Sequence, residues 1–227
     1  MLLAVLVAGL IAGQAPSAAA LKTALYKAAH SDHFTLTITG DVPETFAPTA
    51  GRLAGLFYEC YPKLVTRFEN PKKPAPRQIR LIFERGMNFP AYCAGAEIHV
   101  SVDWLESHPD DIALFTHELT HAVQGYSGGV PGWFTEGLAD YSRLIYGPKV
   151  QPGWALPKRL SDKQSYKDGY RVTGRFLLWL DAKHPGAVDK LHHQAQDGAF
   201  DAEQEIADGK KLPALWSECV KELAAAK

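Results

Sequence analysis

Five consecutive residues, His117-Glu118-Leu119-Thr120-His121, carry the groups that a single-metal site needs. On a helix, imidazoles at i and i+4 stand on one face, a turn apart, and both reach one ion. Neutral imidazole suits Zn²⁺, and a catalytic zinc keeps three protein ligands and an open position for water. Glu118, beside that position, has the chemistry of a general base. A second group follows in Trp133-Phe-Thr-Glu136-Gly-Leu-Ala-Asp140, where two carboxylates again fall at i and i+4. Glu136 is the expected third ligand to one Zn²⁺ ion. Asp140, one turn on, is the expected acceptor for the free ring N–H of a ligand histidine, His117 first. An acidic solvated face beside two core histidines is the alternative, and it leaves the matched spacing of the two groups unexplained.

Such a site requires two helices held side by side. In the first, Ile112, Leu114, Phe115, Leu119, Ala122 and Val123 supply the apolar stripe. Ser107 is the predicted cap and Pro109 suits the first turn; Asp110 and Asp111 complement the dipole, and Gly125 can close the helix. The glycine-rich run 125–132 is a flexible connection, and a second helix is predicted over 133–146, stopped by Gly147-Pro148. Upstream, 34–39 (FTLTIT) and 78–83 (QIRLIF) read as strands. The run 97–104 (EIHVSVDW) reads as one more, an edge strand with Ile98, Val100 and Val102 inward. Helical spacing covers 46–70, with Pro62 marking a break or kink, and then 170–180, 188–196 and 212–223. Strands early and helices late predict an α+β fold in a single domain over 21–227: a small mixed sheet within about 21–105 and a helical part over about 106–227.

Composition narrows the function. The chain has 227 residues, 46% of them hydrophobic, and 24 Lys+Arg against 25 Asp+Glu for a net charge of −1. That balance excludes binding driven by a basic surface, so nucleic acid and anionic lipid are not expected partners. Residues 2–12 form an apolar run too short for a comfortable membrane span, and Ala18-Ala19-Ala20 offers a cleavage site. Residues 1–20 are therefore expected to be a signal peptide, and the rest a secreted or periplasmic protein. An uncleaved anchor or a buried N-terminal helix is the alternative. Cys60, Cys93 and Cys219 allow at most one disulfide, its pairing open, and their wide spacing looks nothing like a structural zinc cluster.

Three ordered motifs carry a family resemblance: HELTHAVQ at 117–124, PGWFTEGLADYSRL at 131–144 and DGYRVTGRFL at 168–177. Together they resemble the basic secretory protein family, regarded as zinc metallopeptidases related to the thermolysin-like gluzincins. The similarity runs from the Phe34 strand to about His192. It implies a zincin-like fold with His117, His121 and Glu136 on zinc, Glu118 as base and Asp140 behind the ligands. The chain departs from the family in being neutral rather than basic. Its link from His121 to Glu136 is shorter than in better-known gluzincins. The G-x-M-E-N signature of gluzincin aminopeptidases is missing, with Gly95-Ala-Glu-Ile near its place. An endopeptidase is therefore expected.

A peptidase also needs a donor for the oxyanion. Tyr170, which opens a helix in the third motif, is the first candidate; Tyr141, Tyr166 and His192 are weaker ones. Glu97–Ser101 is expected to bind extended substrate by strand addition. Arg171 and Arg175, one turn apart, are candidates for gripping a substrate carboxylate. The expected partner is a peptide or protein substrate, with no nucleic acid and no stable membrane association. A zinc hydrolase of another amide or ester is the nearer rival; a non-catalytic secreted binding module is the farther one.

Overall fold

Alternation of apolar and polar residues builds the sheet. The computed structural model describes residues 23–26, 33–40, 42–126 and 128–225. The signal-peptide expectation for 1–20 lies outside them. The strands are β1 (Thr23–Tyr26), β2 (Thr35–Gly40), β3 (Gln78–Glu84), β4 (Ala91–Ala94) and β5 (Glu97–Ser101). They lie in the order β1-β2-β3-β5-β4. The middle three run parallel, and β1 and β4 pair antiparallel on the flanks. Leu36, Ile38, Ile79, Leu81, Phe83, Ile98 and Val100 are buried on one face. The intervening positions carry Thr37, Arg80, Glu84, Glu97 and His99, so one face meets the core and the other does not.

Helices cover the apolar face. They are α1 (Ala47–Phe68), α2 (Val102–Ser107), α3 (Leu114–Gln124), α4 (Gly132–Tyr146), α5 (Tyr170–Lys183), α6 (Ala187–Gln196) and α7 (Leu212–Ala225). One apolar cluster runs from Leu36 in the sheet through Phe57, Phe115 and Leu138 to Leu180 and Leu223. The result is the α+β architecture expected, a mixed sheet followed by a helical region. Pro62 does not end α1, which runs through it to Phe68. The ring removes the N–H that would bond the Tyr58 carbonyl and crowds that carbonyl, and burial of Tyr61, Leu64, Val65 and Phe68 holds the helix on both sides of it.

Three local expectations are corrected. The strand expected over 97–104 stops at Ser101, whose side chain accepts from the Trp104 N–H and starts α2 instead. Ser107 therefore lies at the end of α2, and its hydroxyl donates back to the carbonyls of Asp103 and Trp104. The helix that carries His117 and His121, α3, begins at Leu114 after a 3-10 turn, Asp111–Ala113, with no side-chain cap. A cap is worth about 1 kcal/mol. Burial of a Leu, Phe or Val side chain contributes ~1.5–3 kcal/mol each, and α3 buries Leu114, Phe115, Leu119 and Val123. Its apolar stripe outweighs the missing cap. The third correction concerns β5, which lies between β3 and β4 rather than at an edge. The edge on that side of the sheet is β4.

Candidate active site

The helix α3 presents His117, Glu118 and His121 toward α4, and Gly125, in the left-handed region at φ 59°, ends it as expected. Helix α4 packs beside α3. Their ligand atoms converge: Glu136 Oε2 lies 3.2 Å from His117 Nε2 and 3.6 Å from His121 Nε2. Two ligand atoms on one tetrahedral zinc with ligand distances of 2.0–2.1 Å stand about 3.3 Å apart. All three ligand atoms lie within 4.8 Å of one another. The donor set suits zinc, and the two Glu136 separations match those of ligands sharing one ion.

Behind the ligands, each histidine is held by its other ring nitrogen. His117 Nδ1 donates to Asp140 Oδ1 at 2.7 Å, as the i, i+4 spacing anticipated. His121 Nδ1 pairs with Gln124 Oε1 at 2.8 Å, a partner the sequence reading missed. Burial disfavours the charged form of His117, but the Asp140 and Glu136 carboxylates override it and hold the imidazole up at about 9. Burial likewise pushes the Glu136 carboxyl up, yet hydrogen bonds from His117 and His121 hold it down at about 2. Glu118 is buried, and burial raises its pKa against the pull of the two histidines.

The three groups open into a cleft of about 1540 Å³. Its lining extends beyond both histidines to Asp111, Arg143, Trp154, Tyr126 and Val130. Ala91, Tyr92 and Cys93 of the edge strand β4 form one wall. Arg143 is another residue the sequence reading missed. Its Nη2 donates to Asp111 Oδ1 at 2.5 Å and its Nε to Gln151 Oε1 at 3.0 Å. Asp111 also accepts from Trp104 Nε1, at 2.9 Å, through its other carboxylate oxygen.

Tyr170 stands at the cleft, 57% exposed, its ring parallel to that of His117 with centroids 6.4 Å apart. Its φ of 42° is in the left-handed region, which costs a non-glycine residue on the order of 1–3 kcal/mol. Thr173 holds that turn, its hydroxyl accepting from the Gly169 N–H at 3.0 Å and donating to the Tyr166 carbonyl at 2.6 Å. The Glu136 charge, followed by partial burial, raises the Tyr170 pKa and keeps the phenol protonated.

The weaker donor candidates are elsewhere. Tyr141 donates to Asp181 at 2.6 Å, Tyr166 is buried, and His192 Nε2 donates to the Phe68 carbonyl at 2.7 Å. Arg171 lines the cleft and Arg175 does not. Substrate addition to Glu97–Ser101 is overturned, because β3 and β4 occupy both edges of that strand. All three cysteines are free. Burial pushes each thiol up to about 12, so none is a ready nucleophile.

No curated protein matches the chain. A family profile does: the chain belongs to the basic secretory protein family, BSP, described as a peptidase of plants and bacteria, whose profile matches residues 20–219.

Proposed function

We propose that this peptidase is a zinc-dependent, zincin-like endopeptidase acting outside the cytoplasm on peptides or proteins. The observation that carries the reading is the convergence of His117, His121 and Glu136, with Glu136 Oε2 at 3.2 and 3.6 Å from the two ring nitrogens. Zinc, when bound there, supplies Lewis acidity toward the scissile carbonyl and lowers the pKa of a water. Glu118 takes the proton from the attacking water as the new C–O bond forms. It returns that proton to the amine nitrogen as the C–N bond breaks. Burial favours the protonated form of Glu118, which suits a group that must hold the proton between the two steps. Tyr170 donates its O–H to the developing oxyanion.

An internal-cleavage mode is supported by a cleft whose lining reaches well beyond the three ligands, and by the missing G-x-M-E-N motif. Extended substrate pairs with the outer edge of β4, whose other edge is taken by β5. The export reading rests on the apolar run at 2–12 and the alanines at 18–20. Among the described residues, no helix is long and apolar enough to cross a membrane.

The test is mass-spectrometric digestion of a diverse peptide mixture by zinc-loaded protein and by its Glu118→Gln variant, with zinc content measured in both. Internal cleavages by the wild type alone are expected. Equal activity in Glu118→Gln would defeat the proposed base. Removal of single terminal residues would make it an exopeptidase. Silence from both, with zinc bound, would point to a non-peptide amide or ester.

A further inference from the structure

The histidine partners in this site are of two different kinds. His117 is backed by a carboxylate, and His121 by the neutral amide of Gln124, which is 3% exposed. A neutral amide can present either its oxygen or its NH₂ group to a ring nitrogen, and only one of these leaves the opposite ring nitrogen free for a metal. The choice is made on the far side of the amide. Gln124 Nε2 donates to the Thr135 backbone carbonyl at 2.8 Å. A carbonyl only accepts, so it takes the NH₂ end and turns Oε1 toward His121 Nδ1. Nδ1 then carries a hydrogen, which leaves the Nε2 lone pair available to a metal.

We infer that Gln124 is a positioning residue that locks His121 in its metal-binding tautomer, reading the Thr135 carbonyl of α4 and passing that choice to α3. Thr135 immediately precedes Glu136, so one amide ties the second histidine ligand to the segment that delivers the carboxylate ligand. The inference rests on the zinc reading above. Asp140 and Gln124 thus do parallel work through different chemistry: one as a charged acceptor, the other as a neutral acceptor whose orientation is imposed.

The test measures zinc affinity by competition with a chromophoric chelator, together with melting temperature before and after zinc, for wild type, Gln124→Met and Gln124→Glu. Partners of metal-bound histidines typically contribute ~10–100-fold in affinity. Gln124→Met, similar in size but without acceptor or donor, is expected to bind zinc at least about 10-fold more weakly. Its zinc-induced rise in melting temperature should shrink, which loss of packing alone does not cause. Gln124→Glu restores an acceptor for His121 and should recover most of that affinity. Wild-type zinc affinity in Gln124→Met would overturn the inference. So would a Gln124→Glu protein that binds zinc at least about 10-fold more weakly than the wild type, a comparison that stands even if Gln124→Met fails to fold. Failure of the wild type to bind zinc would instead defeat the zinc reading itself.

Discussion

Gly137 on α4 and Thr173 on α5 pack so closely that a β-carbon on Gly137 would lie 2.2 Å from Thr173 Cγ2. Gly174 makes a second close approach, its added β-carbon falling 3.2 Å from Asp140 Cβ. Two glycines, one on each helix, therefore let α5 lie against the segment that carries Glu136 and Asp140. Thr173, pressed into that contact, also fixes the turn at Gly169 that puts Tyr170 over the cleft. Helix packing and placement of the phenol are one arrangement.

Gly137→Ala is accordingly expected to destabilise the protein by about 1–3 kcal/mol, the range for overpacking a tight contact. For a chain of this size each kcal/mol lowers the melting temperature by about 2–4 °C. Turnover should fall further than zinc affinity, because α5 carries Tyr170 and none of the three ligands. Thermal melts, zinc titration and peptide cleavage on one preparation check this. Unchanged stability would show that α5 can retreat at no cost.

Asp140 is 4% exposed and accepts from His117 at 2.7 Å. Asp140→Ala should weaken zinc binding ~10–100-fold. Asp140→Asn keeps an oxygen that can accept from Nδ1 and should lose less. Chelator competition on both variants makes the comparison. Equal loss would show that the charge of Asp140, rather than an acceptor at that point, holds the ring.

What could be read from sequence was whatever rests on spacing along one helix. His117 with His121, and Glu136 with Asp140, share faces because i and i+4 always do. What escaped depended on contacts between elements. The edge strand β4, Ala91-Tyr-Cys-Ala94, is too short to show a pattern, and its inward residues are Ala and Cys rather than branched aliphatics. Residues 102–107 (VDWLES) alternate apolar and polar at their start, so they read as more strand until Ser101 caps them. Gln124 falls three residues after His121, at a helical spacing that could have raised it. Its meaning appears only once Thr135 is opposite. Arg143 needed Asp111 and Trp104 from earlier in the chain to be recognised as a cleft residue.

Tyr170→Phe deletes one hydroxyl from an exposed side chain in the cleft. If the phenol donates to the oxyanion, kcat should fall roughly 10²–10³-fold, the range for removing such a donor. KM and zinc content should not change, since the ring stays over His117. Steady-state kinetics on a single cleaved peptide suffices. An unchanged kcat would leave the ring as a wall of the cleft and send the donor role elsewhere.

His192 sets a pH limit on the fold. It is fully buried, with Nε2 donating to the Phe68 carbonyl at 2.7 Å and Nδ1 placed 3.0 Å from the Tyr126 hydroxyl. Burial pushes its pKa down to about 4, against about 6.5 in an unfolded chain. The unfolded state therefore takes up the proton first on acidification. Stability from keeping this ring neutral is complete above about pH 6.5 and is lost as pH falls toward 4. The size is on the order of 3 kcal/mol, at 1.36 kcal/mol per pKa unit. Urea unfolding of zinc-stripped wild type and His192→Gln should therefore show the wild type losing more stability from pH 7 to 4, with the gap closing toward acid. Stripping the zinc keeps protonation of His117 and His121 from masking the effect through metal release. Because Tyr126 lines the cleft while its hydroxyl meets His192, the wall near His121 should loosen in the same range. Parallel curves for the two proteins would place the acid sensitivity in other groups.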